Sequence, residues 1–244
     1  VNALYDGSAT EEIRQKYAPV RTALDNMRTL AGRLKEAAAA RGTMDLISTE
    51  SVFVLDEQGR PVDLFARTRG ESEGMIEQFM IAANVAVAAY ARRRGIPFVY
   101  RVHDRPDPEK LQVLSETAQR LGMKAVRLSA QPDLRELMEE ARETAYARLI
   151  SDRLLRSMAK AQYSEDPLGH YGLALQDYCH FTSPIRRYPD LSIHRILSDA
   201  IAGVSKEELA RRYTAFVRES AGLSSQYEVR AMTAERECKS EAKR

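Results

Sequence analysis

Apolar residues recur with helical spacing over most of the chain. From a capping-box pattern at Ser8–Glu11 they repeat about every 3.6 positions, which predicts one long amphipathic helix to about Ala40, ended by Gly42. A second long helix over residues 71–93 is rich in alanine and is predicted to be a buried central element. Further helices are predicted over residues 107–122, 133–157, 183–202, 206–220 and 227–244.

Short apolar runs between these helices predict strands. The runs Val52–Leu55 and Val62–Phe65 flank a glycine-bearing turn, which is typical of a β-hairpin. Residues 96–102 are predicted to form a strand and residues 169–174 an extended segment. The pattern therefore indicates a mixed, helix-rich α/β fold with a β-hairpin and long central helices. We find no linker or internal repeat, so residues 1–244 are predicted to form one domain.

Composition narrows the class of protein. A hydrophobic share of 44% with 30% charged residues is globular, and 37 basic against 35 acidic residues leave a net charge of +2, so a nucleic-acid surface must be local. Cys179 and Cys238 cannot build a disulfide framework, and the first residues lack a signal peptide, which favours a cytoplasmic location. The longest apolar run, Met80–Tyr90, is interrupted by Asn84, so no membrane span is expected. Both ends are expected to be cuts inside a longer chain.

The densest candidate chemistry lies between residues 178 and 195. Thr182 or Ser183 is predicted to cap a helix that begins at Pro184, with Arg186 and Arg187 in its first turn. Cations at a helix N-terminus are disfavoured by the helix dipole and by each other, so an external anion is expected beside them.

Asp190 and His194 follow Arg186 at intervals of four residues, which predicts that Asp190 orients the Arg186 guanidinium, although Pro189 kinks or restarts the helix. The alternative is a solvated polar face with surface ion pairs. The predicted cap, the conflict with the helix dipole and three flanking residues together favour phosphate or nucleic-acid binding over that alternative. The flanking residues are Tyr178, His180 and Arg195.

These residues belong to a longer motif. Tyr-Gly-Leu-Ala-Leu at 171–175 and His-Phe-Thr-Ser-Pro-Ile-Arg-Arg-Tyr-Pro-Asp-Leu at 180–191 resemble the signature of the RNB domain of the ribonuclease II and ribonuclease R family. The resemblance extends in order and spacing to segments 41–45, 56–63, 75–84, 100–111 and 234–236. It covers nearly the whole chain, as the C-terminal part of the RNB catalytic domain.

This resemblance implies Mg²⁺-dependent 3′→5′ hydrolysis of single-stranded RNA to nucleoside 5′-monophosphates, with flanking RNA-binding domains. The family's cluster of metal-binding aspartates is not found here, and turn formation and capping explain Asp104, Asp107 and Glu109 without a metal. The chain alone is therefore predicted to be inactive and to bind no metal tightly. An RNA-binding pseudo-enzyme or regulatory protein is the alternative.

The resemblance also implies roles for particular residues. Arg186 is expected to contact the reacting phosphate, and Glu77 and Glu235 to lie around the 3′-terminal nucleotide, where a carboxylate accepts hydrogen bonds from ribose hydroxyls. The alternatives are an exposed helix residue for Glu77 and, for Glu235, a salt bridge to Arg236 or to a neighbouring helix. Leu46 replaces a phenylalanine that the family commonly places in an aromatic clamp. The remaining predicted RNA-binding residues are Asn84, Tyr178, His180, Thr182, Ser183, Arg187 and Arg195.

Other chemically active side chains receive structural interpretations. His103 and His170 have no partners at metal-ligand spacing and are expected to be hydrogen-bonded structural histidines. Cys179 adjoins a basic patch that could lower its pKa, but no triad-like order surrounds it, so it is assigned no role. Residues 92–94 are interpreted as a cation cluster at a helix C-terminus, with RNA contact as the alternative.

Overall fold

A computed structural model describes residues 1–43, 50–67, 69–124 and 127–241. The chain divides into two compact units, one formed by residues 1–40 and 48–82 and the other by residues 41–47 and 83–244. The helix-rich α/β class predicted from the sequence is confirmed. The single domain over residues 1–244 stays a prediction.

The first unit begins with three helices, α1 (Asn2–Asp6), α2 (Glu11–Tyr17) and α3 (Arg21–Arg41). The predicted single helix is therefore wrong, because a 3₁₀ turn that contains Pro19 separates α2 from α3. A proline inside an α-helix removes a backbone hydrogen bond and clashes with the preceding turn. The cap of α2 is Thr10, which accepts a hydrogen bond from the Ile13 N–H at 3.4 Å, and not Ser8. Gly42 ends α3 with φ +99°, as predicted.

The predicted hairpin is present in the first unit. Strands β1 (Glu50–Leu55) and β2 (Pro61–Arg67) pair antiparallel with Phe53 opposite Leu64, and the register shifts between Val54 and Leu55. Asp56 organises the turn, because its carboxylate accepts hydrogen bonds from the N–H groups of Gln58 (3.0 Å) and Arg60 (2.8 Å). Gly59 completes the turn with φ +76°, a conformation that a residue with a Cβ rarely adopts.

Helix α4 (Glu71–Arg94) follows the hairpin at the predicted position. Its residues from Ala83 onward belong to the second unit, where Ala88 and Ala91 are fully buried. By length and composition alone, α4 is long and apolar enough to span a membrane, which corrects the expectation that no segment approaches that length. Burial is partial along the helix, since Ile76 is 47% exposed.

The second unit contains a small antiparallel sheet of β3 (Tyr100–Val102) and β4 (Gln162–Ser164), in which Arg101 lies opposite Tyr163. Helix α5 (Pro108–Arg120) is capped by Asp107, whose carboxylate accepts a hydrogen bond from the Glu109 N–H at 3.0 Å. The predicted helix over residues 133–157 is instead two helices, α6 (Gln131–Arg142) and α7 (Ala147–Ser157). Thr144 separates them, because its hydroxyl bonds to the backbone on both sides.

The chain ends in α8 (Tyr188–Ile201) and α9 (Lys206–Glu241). The two helices predicted over residues 206–244 are one continuous helix in the described residues. Ser205 caps its start, accepting a hydrogen bond from the Glu208 N–H at 3.2 Å, as its spacing predicts. The segment predicted as extended over residues 169–174 contains a 3₁₀ turn, Tyr171–Leu173.

Among the described residues, two apolar clusters form the core of the second unit. One joins α4, β3, α8 and α9 and surrounds the fully buried residues Phe98, Val99, Ile193 and Ile196. The other joins α5, α6 and α7 around Leu134, Ile150 and Leu154. The first cluster includes Cys179 and packs against Phe181, so it supports the loop before α8 on which the candidate site is built.

Candidate nucleic-acid interface

The loop before α8 has a different geometry from the predicted helix start. Residues 183–187 form a turn in which the Ser183 carbonyl accepts hydrogen bonds from the N–H groups of Arg186 (3.3 Å) and Arg187 (3.1 Å). Helix α8 begins only at Tyr188, with Pro189 in its first turn. Pro189 has no N–H to bond the Ile185 carbonyl, so a helix that began at Pro184 would be broken there. The prediction that Thr182 or Ser183 caps the helix is therefore wrong.

Asp190 holds Arg187 and not Arg186. It is fully buried, and its Oδ2 accepts hydrogen bonds from the Ser183 N–H at 2.7 Å and from Nη2 of Arg187 at 2.8 Å. Arg186, in contrast, is exposed, and no residue of the described ranges forms an ion pair or hydrogen bond with its side chain. The predicted orientation of Arg186 by a direct contact with Asp190 is wrong, because the turn directs the neighbouring arginine toward the carboxylate.

His194 supports the same loop one helical turn further along α8. Its Nε2 lies 2.9 Å from the Phe181 carbonyl oxygen, and the two rings stack with centroids 4.2 Å apart and an interplanar angle of 8°. Asp190 and His194 share a helix face, as their spacing predicts. This face of α8 therefore holds the backbone of residues 181–183.

Asn84 fastens the start of the loop from the other side. It is 2% exposed, its Oδ1 accepts a hydrogen bond from the Phe181 N–H at 3.0 Å, and its Nδ2 donates to the Tyr178 hydroxyl at 3.2 Å. The thiol of Cys179 donates to the Asn84 carbonyl at 3.2 Å, and burial raises the pKa of that thiol. The basic neighbourhood therefore does not activate Cys179. The side chains of Asn84 and Tyr178 are both buried and bonded to each other. The RNA contacts predicted for them stay predictions.

His180 lies in a largely buried polar cluster. Its Nδ1 is 3.0 Å from the Tyr163 hydroxyl, and burial, reinforced by Arg187 and Arg101, lowers the pKa of His180 to about 3. The imidazole is therefore neutral at pH 7. The guanidinium of Arg101 lies 4.6 Å over the Tyr163 ring and forms two hydrogen bonds to Glu228 of α9, at 2.7 and 3.0 Å. These contacts tie the loop to β3, β4 and α9.

The two other histidines of this region are structural, as predicted. Nδ1 of His103 accepts a hydrogen bond from the Gly172 N–H at 2.9 Å, so its Nε2 carries the proton and donates to the Ala159 carbonyl at 2.8 Å. His170 accepts a hydrogen bond from the Leu173 N–H at 3.3 Å, and burial lowers its pKa to about 3. A side chain at Gly172 would meet Nδ1 of His103 at 3.0 Å, which explains the glycine.

The remaining predicted residues of the second unit lie in three surroundings. The buried Thr182 Oγ1 has no hydrogen-bond partner among the described residues, and Ser183 is half-buried at the start of the turn. Arg195 is exposed on α8. Glu235 is exposed on α9 and pairs with Lys239 at 2.5 Å, so the salt bridge foreseen as the alternative exists with a different partner from Arg236.

Two predicted residues lie elsewhere. Glu77 belongs to the first unit, where it pairs with Arg69 at 3.3 Å and is half-exposed. Leu46 lies outside the described residues, so its clamp position stays a prediction. Arg92 is interpreted from the sequence as a cation at a helix C-terminus. In the structure this cation also has an acidic partner, because its Nε lies 2.7 Å from Asp177.

Three residues of the network meet without any signal of their contact in the sequence. Arg101, Tyr163 and Glu228 are far apart along the chain, and each resembles an ordinary strand or helix residue. Only the pairing of Arg101 with Tyr163 across the sheet, which the short apolar runs do not specify, would have revealed their contact.

No metal centre can be built from the described residues, which include no group of three or more histidine, cysteine or acidic side chains that could hold an ion. Asp107 serves as a helix cap, as predicted. The residues that the structure describes therefore do not fit a resident divalent ion, and we derive no reaction step through one.

The helix-rich fold carries an exposed arginine on a loop that Asn84 and Asp190 hold by hydrogen bonds. Comparison with known proteins identifies the family. The sequence model of the RNB domain family matches residues 1–203, so the chain belongs to the RNB-domain family. Ribonuclease R 1 of Lactococcus lactis is 37% identical over 97% of this chain and 29% of its own length. Ribonuclease R of Thermotoga maritima is 42% identical over 75% of this chain and 26% of its own length.

The structural comparison agrees with this family. Mycoplasma genitalium RNase R, solved in complex with ribose-methylated single-stranded RNA, superposes with a TM-score of 0.90 at 28% identity, over 99% of this chain and 38% of that one. The resemblance to the RNB domain is thereby confirmed. The chain spans less than a third of the length of the two curated relatives described above.

Proposed function

We propose that this chain is the RNA-binding and phosphate-contacting part of a 3′→5′ exoribonuclease that hydrolyses single-stranded RNA to nucleoside 5′-monophosphates. The observation that carries the proposal is the exposed Arg186 on the Ser183–Arg187 turn of an RNB chain, next to an arginine whose charge Asp190 already compensates. Its relatives are named ribonuclease R, and a structural neighbour binds single-stranded RNA.

Arg186 is proposed to contact the reacting phosphate. A guanidinium presents a planar set of donors that matches two phosphate oxygens and keeps its charge at any physiological pH. Held in advance at the position where negative charge develops, it stabilises the transition state more than the ground state. Arg195 adds a second exposed cation on α8, which is proposed to contact the RNA backbone.

Glu235 and Glu77 are proposed to accept hydrogen bonds from ribose hydroxyls of the terminal nucleotide. Each is exposed or half-exposed and each is held by one basic residue, Lys239 or Arg69, at the surface. Surface ion pairs contribute little to stability, so exchange of such a partner for a ribose hydroxyl costs little. A carboxylate that accepts a 2′-hydroxyl favours RNA over DNA.

A requirement for Mg²⁺ remains part of the proposal. The described residues supply no ligand set for it, so the chain by itself is proposed to bind RNA without hydrolysing it. A cytoplasmic location, independence of membranes and flanking RNA-binding domains are likewise proposals.

Fluorescence anisotropy with the 244-residue chain and a labelled single-stranded oligoribonucleotide tests RNA binding. We expect saturable binding that is stronger than binding to the DNA of the same sequence and that weakens as salt is raised. Equal affinity for RNA and DNA would contradict the roles of the glutamates. The absence of binding to either would contradict the proposed function.

A parallel assay addresses hydrolysis. With Mg²⁺ present, we expect no nucleoside monophosphates from a labelled RNA that the chain binds. Release of monophosphates that EDTA abolishes would show that the chain holds a metal site of its own. The alternative is an RNA-binding pseudo-enzyme. It would be supported if every form of the protein that binds RNA failed to hydrolyse it with each divalent metal tested.

A further inference from the structure

The Ser183–Arg187 turn is closed at both ends by one carboxylate. Oδ2 of Asp190 accepts the Ser183 N–H at 2.7 Å and Nη2 of Arg187 at 2.8 Å, so the first and last residues of the turn meet at one atom. Between them, Ile185 is fully exposed and Arg186 lies beside it on the surface. The tip of the turn is therefore held at its two ends, and among the described residues no hydrogen bond or ion pair of the Arg186 side chain holds it.

The environments of the two arginines differ sharply. The Asp190 side chain is fully buried and that of Arg187 is 20% exposed, so this ion pair lies largely out of water. Charge-assisted hydrogen bonds are about twice as strong as neutral ones, and loss of one partner of a buried pair leaves an uncompensated charge. Arg187 is thus committed to Asp190, whereas the charge of Arg186 remains available to an anion.

We propose that Asp190 is a positioning residue for Arg186, and that Arg187 belongs to this support and does not contact phosphate. The inference rests on the proposed function, since it assumes that Arg186 binds RNA. Asp190 acts through the backbone of the turn: with both ends held, the guanidinium of Arg186 is presented without the loss of backbone freedom that a loose loop would suffer on binding. His194, which holds Phe181 one turn further along α8, supports the same loop.

A double-mutant cycle on RNA affinity tests the inference with the 244-residue chain. The four proteins are the wild type, Asp190→Asn, Arg186→Gln and the double variant. Asparagine keeps the shape of the side chain and one acceptor oxygen but gives up the charge that binds Arg187. Because the substitution also makes the net charge more positive, a general electrostatic effect would strengthen RNA binding.

We expect Asp190→Asn to weaken binding about threefold to tenfold in the wild-type background and to have no effect in the Arg186→Gln background, because contacts that act as a unit are not additive. The salt dependence should follow the same pattern. Arg186→Gln should lower the slope of log K against log salt by about 0.7, the value for one phosphate contact on single-stranded nucleic acid. Arg187→Gln, added to Arg186→Gln, should not lower that slope further, because Arg187 is proposed to make no phosphate contact.

Several results would overturn the inference. Undiminished affinity of Asp190→Asn would do so, and so would an equal loss of affinity in both backgrounds, which would show an effect independent of Arg186. A further fall in the salt slope when Arg187→Gln is added to Arg186→Gln would restore Arg187 as a phosphate contact. Failure of the wild type to bind RNA would remove the proposed function together with the inference.

Thermal unfolding monitors the fold of each variant. If Asp190→Asn is unfolded at the temperature of the binding assay, Arg187→Lys takes its place in the cycle. Lysine at position 187 has a shorter side chain without the planar guanidinium, so we expect it to loosen the turn. It keeps a positive charge beside Asp190, so the buried carboxylate is not left without a partner. We then expect a weaker affinity that again depends on Arg186, and additive losses would overturn the inference.

Discussion

The Tyr163 hydroxyl lies 3.0 Å from Nδ1 of His180. This hydrogen bond joins β4 to the segment that leads into the Ser183–Arg187 turn, and burial lowers the pKa of His180 to about 3. The same effect lowers the pKa of His170 to about 3. The loop therefore rests on neutral imidazoles, and its support is sensitive to acid.

The stability of the fold should fall as the pH is lowered from 6.5 toward 5. Both histidines have folded-state pKa values of about 3, whereas the unfolded value is about 6.5, so below pH 6.5 the unfolded chain binds more protons. The stability they contribute is complete above pH 6.5 and is lost progressively toward pH 3. At pH 5 each histidine should cost about 2 kcal/mol.

Urea unfolding at pH 7.5, 6.5, 5.5 and 5.0 measures this loss. The carboxylates of the unfolded chain stay mostly ionised in that range, since their ordinary pKa values are about 4. Replacement of His170 or His180 by asparagine should flatten the pH dependence. Constant stability between pH 7.5 and 5.0 would contradict the buried neutral imidazoles.

Asn84→Ala should destabilise the second unit by about 2–4 kcal/mol, because the substitution leaves the partly buried Phe181 N–H and the buried Tyr178 hydroxyl without a partner. Tyr178→Phe is the matched control. It removes one hydroxyl and its hydrogen bond, so we expect a smaller loss of about 0.5–1.5 kcal/mol. Chemical denaturation measures both, and equal losses would show that Asn84 contributes no more than its bond to Tyr178.

Gly172→Ala and Gly222→Ala should change stability in opposite directions. A Cβ at Gly172 would meet Nδ1 of His103 at 3.0 Å and disturb the hydrogen bond between them, which should cost about 1–3 kcal/mol. Gly222 lies within α9, and a Cβ there meets nothing within 4 Å, so alanine should stabilise the helix by about 0.5–1 kcal/mol. Thermal or urea unfolding gives the sign of each effect. Destabilisation by both would contradict the specific role of Gly172.

Arg186→Gln should reduce the affinity of the 244-residue chain for single-stranded RNA, and Arg153→Gln should not. Arg153 is an exposed arginine of α7, so the control makes the same chemical change at a site without a predicted RNA contact. Titrations at several salt concentrations separate the loss of one phosphate contact from a general change in charge. Equal losses for the two variants would reduce Arg186 to a contributor to net charge.

In a form of the protein that hydrolyses RNA, Arg186→Ala should lower turnover by about 10²-fold or more, with a smaller effect on affinity. The physical reason is that the attraction between the guanidinium and the phosphate is strongest in the transition state, when negative charge has developed on the phosphate oxygens. Single-turnover rates at saturating RNA measure this effect directly. An unchanged rate with weaker binding would make Arg186 a ground-state contact.

Several elements follow from local sequence. The hairpin turn is determined by Asp56 and Gly59, the start of α5 by Asp107 and the end of α3 by Gly42. In each case a side chain or a positive φ acts on backbone groups a few residues away, so the chemistry can be inferred from neighbours in the chain. The ordered motifs over residues 171–191 similarly sufficed to indicate the RNB family, which the domain match confirmed.

The candidate site could be predicted only in part from the local sequence. The motif identified the loop and its two arginines, but it placed both in the first turn of a helix and paired Asp190 with the wrong one. Spacing along an ideal helix assumes that the helix is continuous, and Pro189 moves its start to Tyr188. Which arginine reaches Asp190 then depends on the geometry of the turn, which spacing cannot supply.

The sequence by itself determined the family, the helix-rich class, the hairpin and the position of the arginine loop. The tertiary structure decided which groups are paired: Arg187 with Asp190, His180 with Tyr163, and Arg101 with Glu228. The physical reason is the distance along the chain over which each kind of interaction acts. Caps, turns and hydrophobic periodicity act over one or two helical turns, whereas a buried polar group bonds to whichever partner the packed core brings within about 3 Å.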